Sequence, residues 1–481
     1  MDKPREACGV FGVFAPGEEV ARVTFFGLYA LQHRGQESAG IATAHRGRVR
    51  VVTGMGLVTH AFDEDALAGL HGDIAIGHTR YSTTGSTQAC NAQPFVASGD
   101  LGEIALAHNG NLVNAMAIKD ELTAQGCTFD SATDSEVITV AIAKAPGATW
   151  VDKVRNALRR AEGAYSLALL TKDSLMAVRD PIGLRPLCLG KLNGGWVVAS
   201  ETCALDHLGA QFLREVEPGE LLVITKDGVA SHHIEEPQQE AFCIFEYIYF
   251  ARPDSMMKGK LLYLARERMG ERLALEHPVD ADLVIGTPDS AIPAAIGYAR
   301  AAGIPYSEGL IKNRYVGRTF IQPSQRIREL GVKLKFNPLP EVLRDKRVVV
   351  VDDSIVRGTT TPRVVSLIRR AGAKEVHLRI SSPPIQNPCF FGVDMATKGE
   401  LIAAQKTIPE IQEYVGADSL GYLSLAGLTW AIDVPRAPFC TACLTGDYPM
   451  PVQLEMDKLS LESGWARDPL HRVGVAGDRL K

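Results

Sequence analysis

No stretch of this 481-residue chain joins enough apolar residues to read as a transmembrane helix, which takes about 20 in a row. The opening segment, Met1-Asp-Lys-Pro-Arg-Glu-Ala-Cys8, lacks the apolar region of a signal peptide. Positive charge is not in excess: 51 Lys and Arg stand against 56 Asp and Glu, a formal net charge of −5. The electrostatic footprint of a nucleic-acid binder is therefore missing. There is no basic helix-turn-helix pattern and no internal repeat. These absences argue against membrane and nucleic-acid roles, and the expectation is a cytoplasmic protein. In that compartment the nine cysteines are expected to bind metal, do chemistry or lie buried, rather than form disulfides.

What is present is a globular composition, 46% hydrophobic and 22% charged. At this length a single core does not suffice, so two or more domains are expected. The pattern changes near residue 235. Before it come many short strand-like runs with Gly and Asn turns, such as Gly9-Val-Phe-Gly-Val-Phe14, Val49–Val52, Asp73–Ile76 and Ile104–Ala107. Helical segments, Ser135–Ala145 and Trp150–Ala161 among them, lie between these runs. That mixture predicts stacked antiparallel sheets covered by helices. The polar stretch Ser231–Glu240 reads as a linker. Beyond it strand and helix alternate: a strand over Asp282–Gly286, a helix over Ala291–Ala302, a strand over Val348–Val351, a helix over Pro362–Ala371 and a strand over Glu375–Ile380. Such alternation predicts a parallel, doubly wound sheet. The expected division is a leading segment 1–7, a first domain 8–235, a second domain 236–455 and a charged tail 456–481.

The sharpest local signal is Arg347-Val-Val-Val-Val-Asp-Asp-Ser-Ile-Val-Arg-Gly-Thr-Thr360. Four Val in a row read as a buried parallel strand. Its carboxyl end, where open α/β sheets bind ligands, carries Asp352 and Asp353. The Gly/Thr turn that follows offers backbone N–H groups and a helix start, which favour a phosphate. A helix cap needs only one acid. The two together suit a ribose phosphate. The segment resembles the signature of type I phosphoribosyltransferases, which bind phosphoribosyl pyrophosphate. The resemblance implies that Asp352 and Asp353 contact the ribose hydroxyls. It also implies that Ser354, Arg357, Gly358, Thr359 and Thr360 form the 5-phosphate cradle.

Near the start, Cys8 precedes Gly9-Val-Phe-Gly12. It is either a small residue entering a strand or a nucleophile. With residues 1–7 removed, Cys8 would carry a free α-amine of pKa about 7.7–8.0, a general base near neutral pH. Four downstream motifs occur in order: Leu31-Gln-His-Arg-Gly-Gln-Glu-Ser-Ala-Gly40, His78-Thr-Arg-Tyr-Ser82, Ala107-His-Asn-Gly-Asn111 and Thr133-Asp-Ser-Glu136. Singly each is weak, since Asn-Gly is most often a turn. Together with the leading Cys they resemble class II glutamine amidotransferases, which have an αββα N-terminal-nucleophile fold. The resemblance implies Cys8 as nucleophile and Asn109 with Gly110 as the oxyanion hole. Arg80 would hold the glutamine carboxylate and Asp134 its ammonium. Asp180-Pro-Ile-Gly-Leu-Arg-Pro186 resembles a further loop of that domain.

Joined in this order, the two halves resemble the amidophosphoribosyltransferase family over about residues 8–455. That implies glutamine-dependent displacement of pyrophosphate from phosphoribosyl pyrophosphate, the first committed step of purine synthesis. It also implies Mg²⁺ held by Ser290, Asp352 and Asp353, purine nucleotides as inhibitors, and a homotetramer. The basic stretch Lys312–Lys335, with seven cations and one acid, resembles the loop that folds over the substrate. Cys440-Thr-Ala-Cys443 by itself fits a redox pair, half a zinc site, half an iron–sulfur site or two buried thiols. The resemblance implies a [4Fe–4S] cluster on Cys243, Cys389, Cys440 and Cys443, as in the branch of the family with a removable leading segment. Cys188 reads as core. Other glutamine-dependent synthases share the first domain only. Sensors of phosphoribosyl pyrophosphate share the second fold and carry a DNA-binding module.

Overall fold

The computed structural model describes residues 8–81, 86–235, 238–313, 336–395, 397–434, 438–452 and 461. The expectations for segment 1–7, for most of the basic loop and for nearly all of the tail lie outside the described residues.

Thirteen strands build the first half. In chain order they are β1 (Gly9–Phe14), β2 (Ser38–His45), β3 (Arg48–Met55), β4 (Ile74–Arg80), β5 (Phe95–Gly99), β6 (Gly102–Leu112), β7 (Gly163–Leu170), β8 (Leu175–Arg179), β9 (Cys188–Leu192), β10 (Gly195–Ala199), β11 (Gln211–Glu215), β12 (Glu220–Thr225) and β13 (Gly228–His233). They form two sheets, in the orders β11-β9-β10-β1-β4-β2-β3 and β13-β12-β8-β7-β6-β5. Every pairing is antiparallel.

The period-2 pattern of β1 explains its central place. Val10 and Phe14 point into the core between the sheets, where they meet Ile76, Ala105, Ala168 and Leu222. Phe11 and Val13 point the other way, into the core under helix Val20–Ala30. Helices Ala115–Ala124, Asp134–Lys144 and Trp150–Leu158 cover the outer face of the other sheet. The result is the αββα sandwich. Two expectations shift. The Asn-Gly motif lies inside β6 rather than in a turn, because β7 pairs with Ala105–Leu112, beyond the end of the β5 ladder at Leu106. Ser231–His233 is not linker: it pairs with β12.

The second half centres on four strands, Leu283–Gly286, Arg347–Asp352, Glu375–Ile380 and Ser419–Tyr422, in that spatial order and all parallel. The four-Val strand is buried on both faces. Val349 and Val351 join the core beneath helices Leu262–Glu276 and Ile292–Ala302. Val348 and Val350 join the opposite core beneath Thr361–Arg370 and Ile408–Val415. Helices on both faces are what a near-continuous apolar run requires. The sheet's carboxyl edge therefore carries Asp352 and Asp353.

Candidate active sites and a thiol pocket

Cys8 stands just before β1 and is 6% exposed. Its Sγ donates to the Tyr81 carbonyl at 3.3 Å. Its own carbonyl accepts from Arg34 Nε at 3.1 Å. Burial pushes the thiol up from its ordinary value, opposed by the Tyr81 contact and the Arg80 charge. The thiol therefore needs a base to ionise near neutral pH. Arg80 ends β4, with Nη1 3.8 Å from Glu37 Oε2 and donating to the Ser86 carbonyl at 3.3 Å. Asp134 opens helix Asp134–Lys144, capped by Thr133, and accepts from Leu112 N at 3.0 Å. An acid at that position is favoured by the helix dipole. The charges of Arg80, Glu37 and Asp134 all bear on Cys8, so the structure brings these predicted residues together.

Asn109 lies in β6, fully buried, and neither its Nδ2 nor its Oδ1 has a partner. A buried unpartnered polar group costs about 1–3 kcal/mol. Gly110 beside it has φ +150, and a Cβ there would lie 2.0 Å from the Ala164 carbonyl oxygen. Only glycine fits. His108 faces inward, with Nδ1 3.1 Å from Ser135 Oγ. His78 Nε2 reaches the His108 carbonyl at 2.9 Å. Burial pulls His78 down to about 3, so it stays neutral and serves as a spacer between β4 and β6.

At the parallel sheet, Asp352 and Asp353 are 6% and 1% exposed. Ser290 Oγ donates to Asp353 Oδ2 at 2.5 Å and Ser354 Oγ to Asp353 Oδ1 at 2.7 Å. The loop after Leu283–Gly286 and the turn after Arg347–Asp352 thus meet at one carboxylate. Arg357 turns outward to Glu400 at 2.7 Å. Gly358 and Thr359 lie in the turn, and Thr360 caps helix Thr361–Arg370 with no cap from its own side chain. The start of that helix, with the Gly358 turn before it, is the place expected for the phosphate.

Four thiols share one pocket. Cys243 and Cys440 face each other in a short parallel pair, Phe242–Cys243 with Phe439–Cys440. Cys389 and Cys443 complete the lining with Phe391 and Tyr448. All four are free. Burial pushes Cys243 up to about 11 despite the Arg185 charge nearby. The expectation of a metal-binding group is not met directly. Among the described residues no three His, Cys, Asp or Glu are grouped so as to hold a metal ion. Cys188 is core, at the start of β9. No helix among the described residues is long and apolar enough to cross a membrane.

A glutamine amidotransferase domain family matches residues 78–207. A phosphoribosyl transferase domain family matches residues 264–381. The amidophosphoribosyltransferase of Synechococcus elongatus is 53% identical, over 96% of this chain and 95% of its own. That of Methanocaldococcus jannaschii is 50% identical, over 93% and 98%. The chain belongs to the amidophosphoribosyltransferase family. Among solved structures, the glutamine phosphoribosylpyrophosphate amidotransferase from B. subtilis, complexed with ADP and GMP, superposes with TM-score 0.88. It is 47% identical and covers 94% of this chain and 99% of its own. As an amidophosphoribosyltransferase the chain is a pentosyltransferase of purine biosynthesis.

Sequence reasoning missed a buried charged frame behind Cys8. Arg34 holds Glu201 at 2.5 Å and Glu246 at 2.7 and 3.0 Å. Glu246 also meets Arg185 at 3.3 Å. Arg34 and Arg185 stood in quoted motifs without a role. Their partners lie 167, 212 and 61 residues away, too far for any local pattern to reveal.

Proposed function

We propose that Cys8 hydrolyses glutamine and that the ammonia released attacks C1 of phosphoribosyl pyrophosphate. The observation that carries this is a buried thiol, Cys8, framed by the charges of Arg80 and Asp134, together with the buried, unpartnered amide of Asn109 on β6.

The chemistry runs as follows. The Cys8 α-amine, free once residues 1–7 are gone, takes the thiol proton. The thiolate attacks the side-chain amide carbon, and Asn109 and the Gly110 N–H stabilise the oxyanion. Arg80 binds the substrate carboxylate with a planar fork suited to two oxygens, and Asp134 binds the ammonium. Collapse breaks the C–N bond, and the α-amine's proton leaves with the nitrogen as ammonia. Water then cleaves the thioester to glutamate. At the second site the C1–O bond to pyrophosphate breaks as ammonia adds, giving 5-phosphoribosylamine and one proton. Asp352 and Asp353 hold the ribose hydroxyls. Ser354, Arg357, Gly358, Thr359 and Thr360 cradle the 5-phosphate. Exclusion of water between the sites would keep the ammonia from escaping.

Ser290, Asp352 and Asp353 fit Mg²⁺ as hard oxygen donors with two charges, and the ion would neutralise the leaving pyrophosphate. The four cysteines fit a [4Fe–4S] cluster: all are soft donors around one pocket, and a cluster takes one thiolate per iron. The role would be structural, tying residues near 243, 389 and 440 into one unit. Purine nucleotides as inhibitors are a further part of this reading, supported by the ADP and GMP in the B. subtilis structure and by a second solved structure described as the allosteric regulatory enzyme of purine biosynthesis; a homotetramer is part of the same reading.

Two measurements test it. Incubation with an electrophilic glutamine analogue should label one residue. The labelled peptide should begin at Cys8, showing both the nucleophile and the loss of residues 1–7. Label elsewhere, or active protein retaining residues 1–7, overturns the mechanism. Protein purified without oxygen should contain about four irons per chain and absorb in the thiolate-to-iron charge-transfer region. Cys443→Ser should lose both signals. Iron-free wild-type protein of full activity would remove the cluster from the account.

A further inference from the structure

Asn111 has no part in the reaction as proposed. Its side chain reaches across to the second domain. Nδ2 donates to the Phe390 carbonyl at 2.9 Å, a buried bond spanning 279 residues of sequence. Two residues further on, Gly392 lies directly against Gly110. A Cβ at Gly392 would sit 2.9 to 3.1 Å from three backbone atoms of Gly110, and its φ is +98. Between them the Phe391 carbonyl accepts from Arg185 Nε at 3.0 Å and Nη2 at 2.8 Å.

The same Arg185 leads back to the nucleophile. Its Nη1 meets Glu246, Glu246 holds Arg34, and Arg34 Nε donates to the Cys8 carbonyl. Arg34, Arg185 and Glu246 are at most 1% exposed. The nucleophile's carbonyl and the hole's strand are therefore fixed to one buried frame. Two of its members, Glu246 and the 390–392 turn, come from the second domain.

We propose that Asn111 is a positioning residue for glutamine hydrolysis, and that the 390–392 turn sets the oxyanion hole across the domain boundary. The reason is mechanical. A preformed hole must hold its donors within about 0.5 Å of the productive geometry. Gly110 has no side chain to brace it, so its position depends on what packs against its backbone. On one face that is the Ala164 carbonyl, and on another it is Gly392. The Asn111 bond keeps Gly392 there. This rests on the reading of Asn109 and Gly110 as the oxyanion hole.

The experiment uses the full-length enzyme with three variants. Removing one oxyanion donor costs about 10²–10³ in kcat, and loosening one should cost about tenfold. Asn111→Ala should therefore lower kcat with glutamine about tenfold, with little change in KM for glutamine. Synthesis from ammonia and alkylation of Cys8 by iodoacetamide, neither of which uses the hole, should keep the wild-type rate. Gly392→Ala should give the same split by pushing on Gly110, and stands in if Asn111→Ala does not fold. Asn109→Ala is the control. If it lowers glutamine turnover while the other two variants do not, the coupling across domains is wrong and the hole survives. If it leaves glutamine turnover intact, both readings fall. Equal loss of glutamine-dependent and ammonia-dependent synthesis in Asn111→Ala and Gly392→Ala would reduce the contact to ordinary packing and overturn the proposal.

Discussion

Cys8→Ser should lower glutamine-dependent synthesis by a factor on the order of 10⁴ or more, while synthesis from ammonia stays close to wild type. The size follows from the chemistry. A serine hydroxyl ionises far less readily than a thiol, and the site already pushes the thiol up by burial. On the proposed mechanism the base is the Cys8 α-amine, of ordinary strength and not a strong acceptor. A hydroxyl at this place would stay protonated. The volume hardly changes, so the buried frame behind it, with Arg34 donating to the residue's carbonyl, remains in place. Ammonia supplied from solution bypasses the first site and meets phosphoribosyl pyrophosphate at the second. Intact mass must be recorded alongside, because removal of residues 1–7 is part of the mechanism. Loss of both activities in a correctly processed variant would contradict the division of labour between the domains. So would glutamine turnover at a tenth of the wild-type rate.

Asp352→Asn and Asp353→Asn should each lower synthesis from either nitrogen donor, by about a hundredfold or more. They act where both routes converge. Each change removes a charge from a buried edge of the sheet, where electrostatic contacts are weakly screened. Asp353 has the larger expected effect. Its two oxygens already accept from Ser290 and Ser354, so it joins two loops. An amide there offers one acceptor oxygen instead of two, so one of the two serines must turn from donor to acceptor. Asp352 accepts from the Asp353 backbone N–H at 2.9 Å, a bond that an amide oxygen can still receive. The glutaminase step should be spared in both variants, which labelling of Cys8 by the glutamine analogue would report. Unchanged synthesis from ammonia in Asp353→Asn would remove the paired acids from sugar binding.

The two effects differ in kind. Cys8→Ser separates the nitrogen donors and leaves the acceptor site intact. The aspartate variants remove the acceptor and cannot separate the donors. Asn111→Ala sits between them, with the same donor selectivity as Cys8→Ser at a much smaller size. One assay with two nitrogen sources thus ranks all three.

Much of this enzyme could be read along the chain. Wherever the chemistry is carried by neighbours in sequence, the pattern sufficed. Four Val before two Asp make a buried strand with acids at its end whatever surrounds them, because such a run can be satisfied only by cover on both faces. The run Gly9–Phe14 was legible as a strand; that Val10 and Phe14 face one core and Phe11 and Val13 another emerged only from the fold. The Asn-Gly pair shows where local reasoning stops. Its residues favour a turn, and the ladder to β7 overrode that preference.

The sequence by itself determined the candidates for the chemistry and the two kinds of sheet that carry them, since both follow from contiguous pattern. Only the tertiary structure decided how the halves are joined. Arg34, Arg185, Glu201, Glu246 and Asn111 find partners 61 to 279 residues away. Such pairs leave no periodic trace, because a buried ion pair or a side-chain bond to a backbone carbonyl asks only for proximity in space, which folding alone supplies.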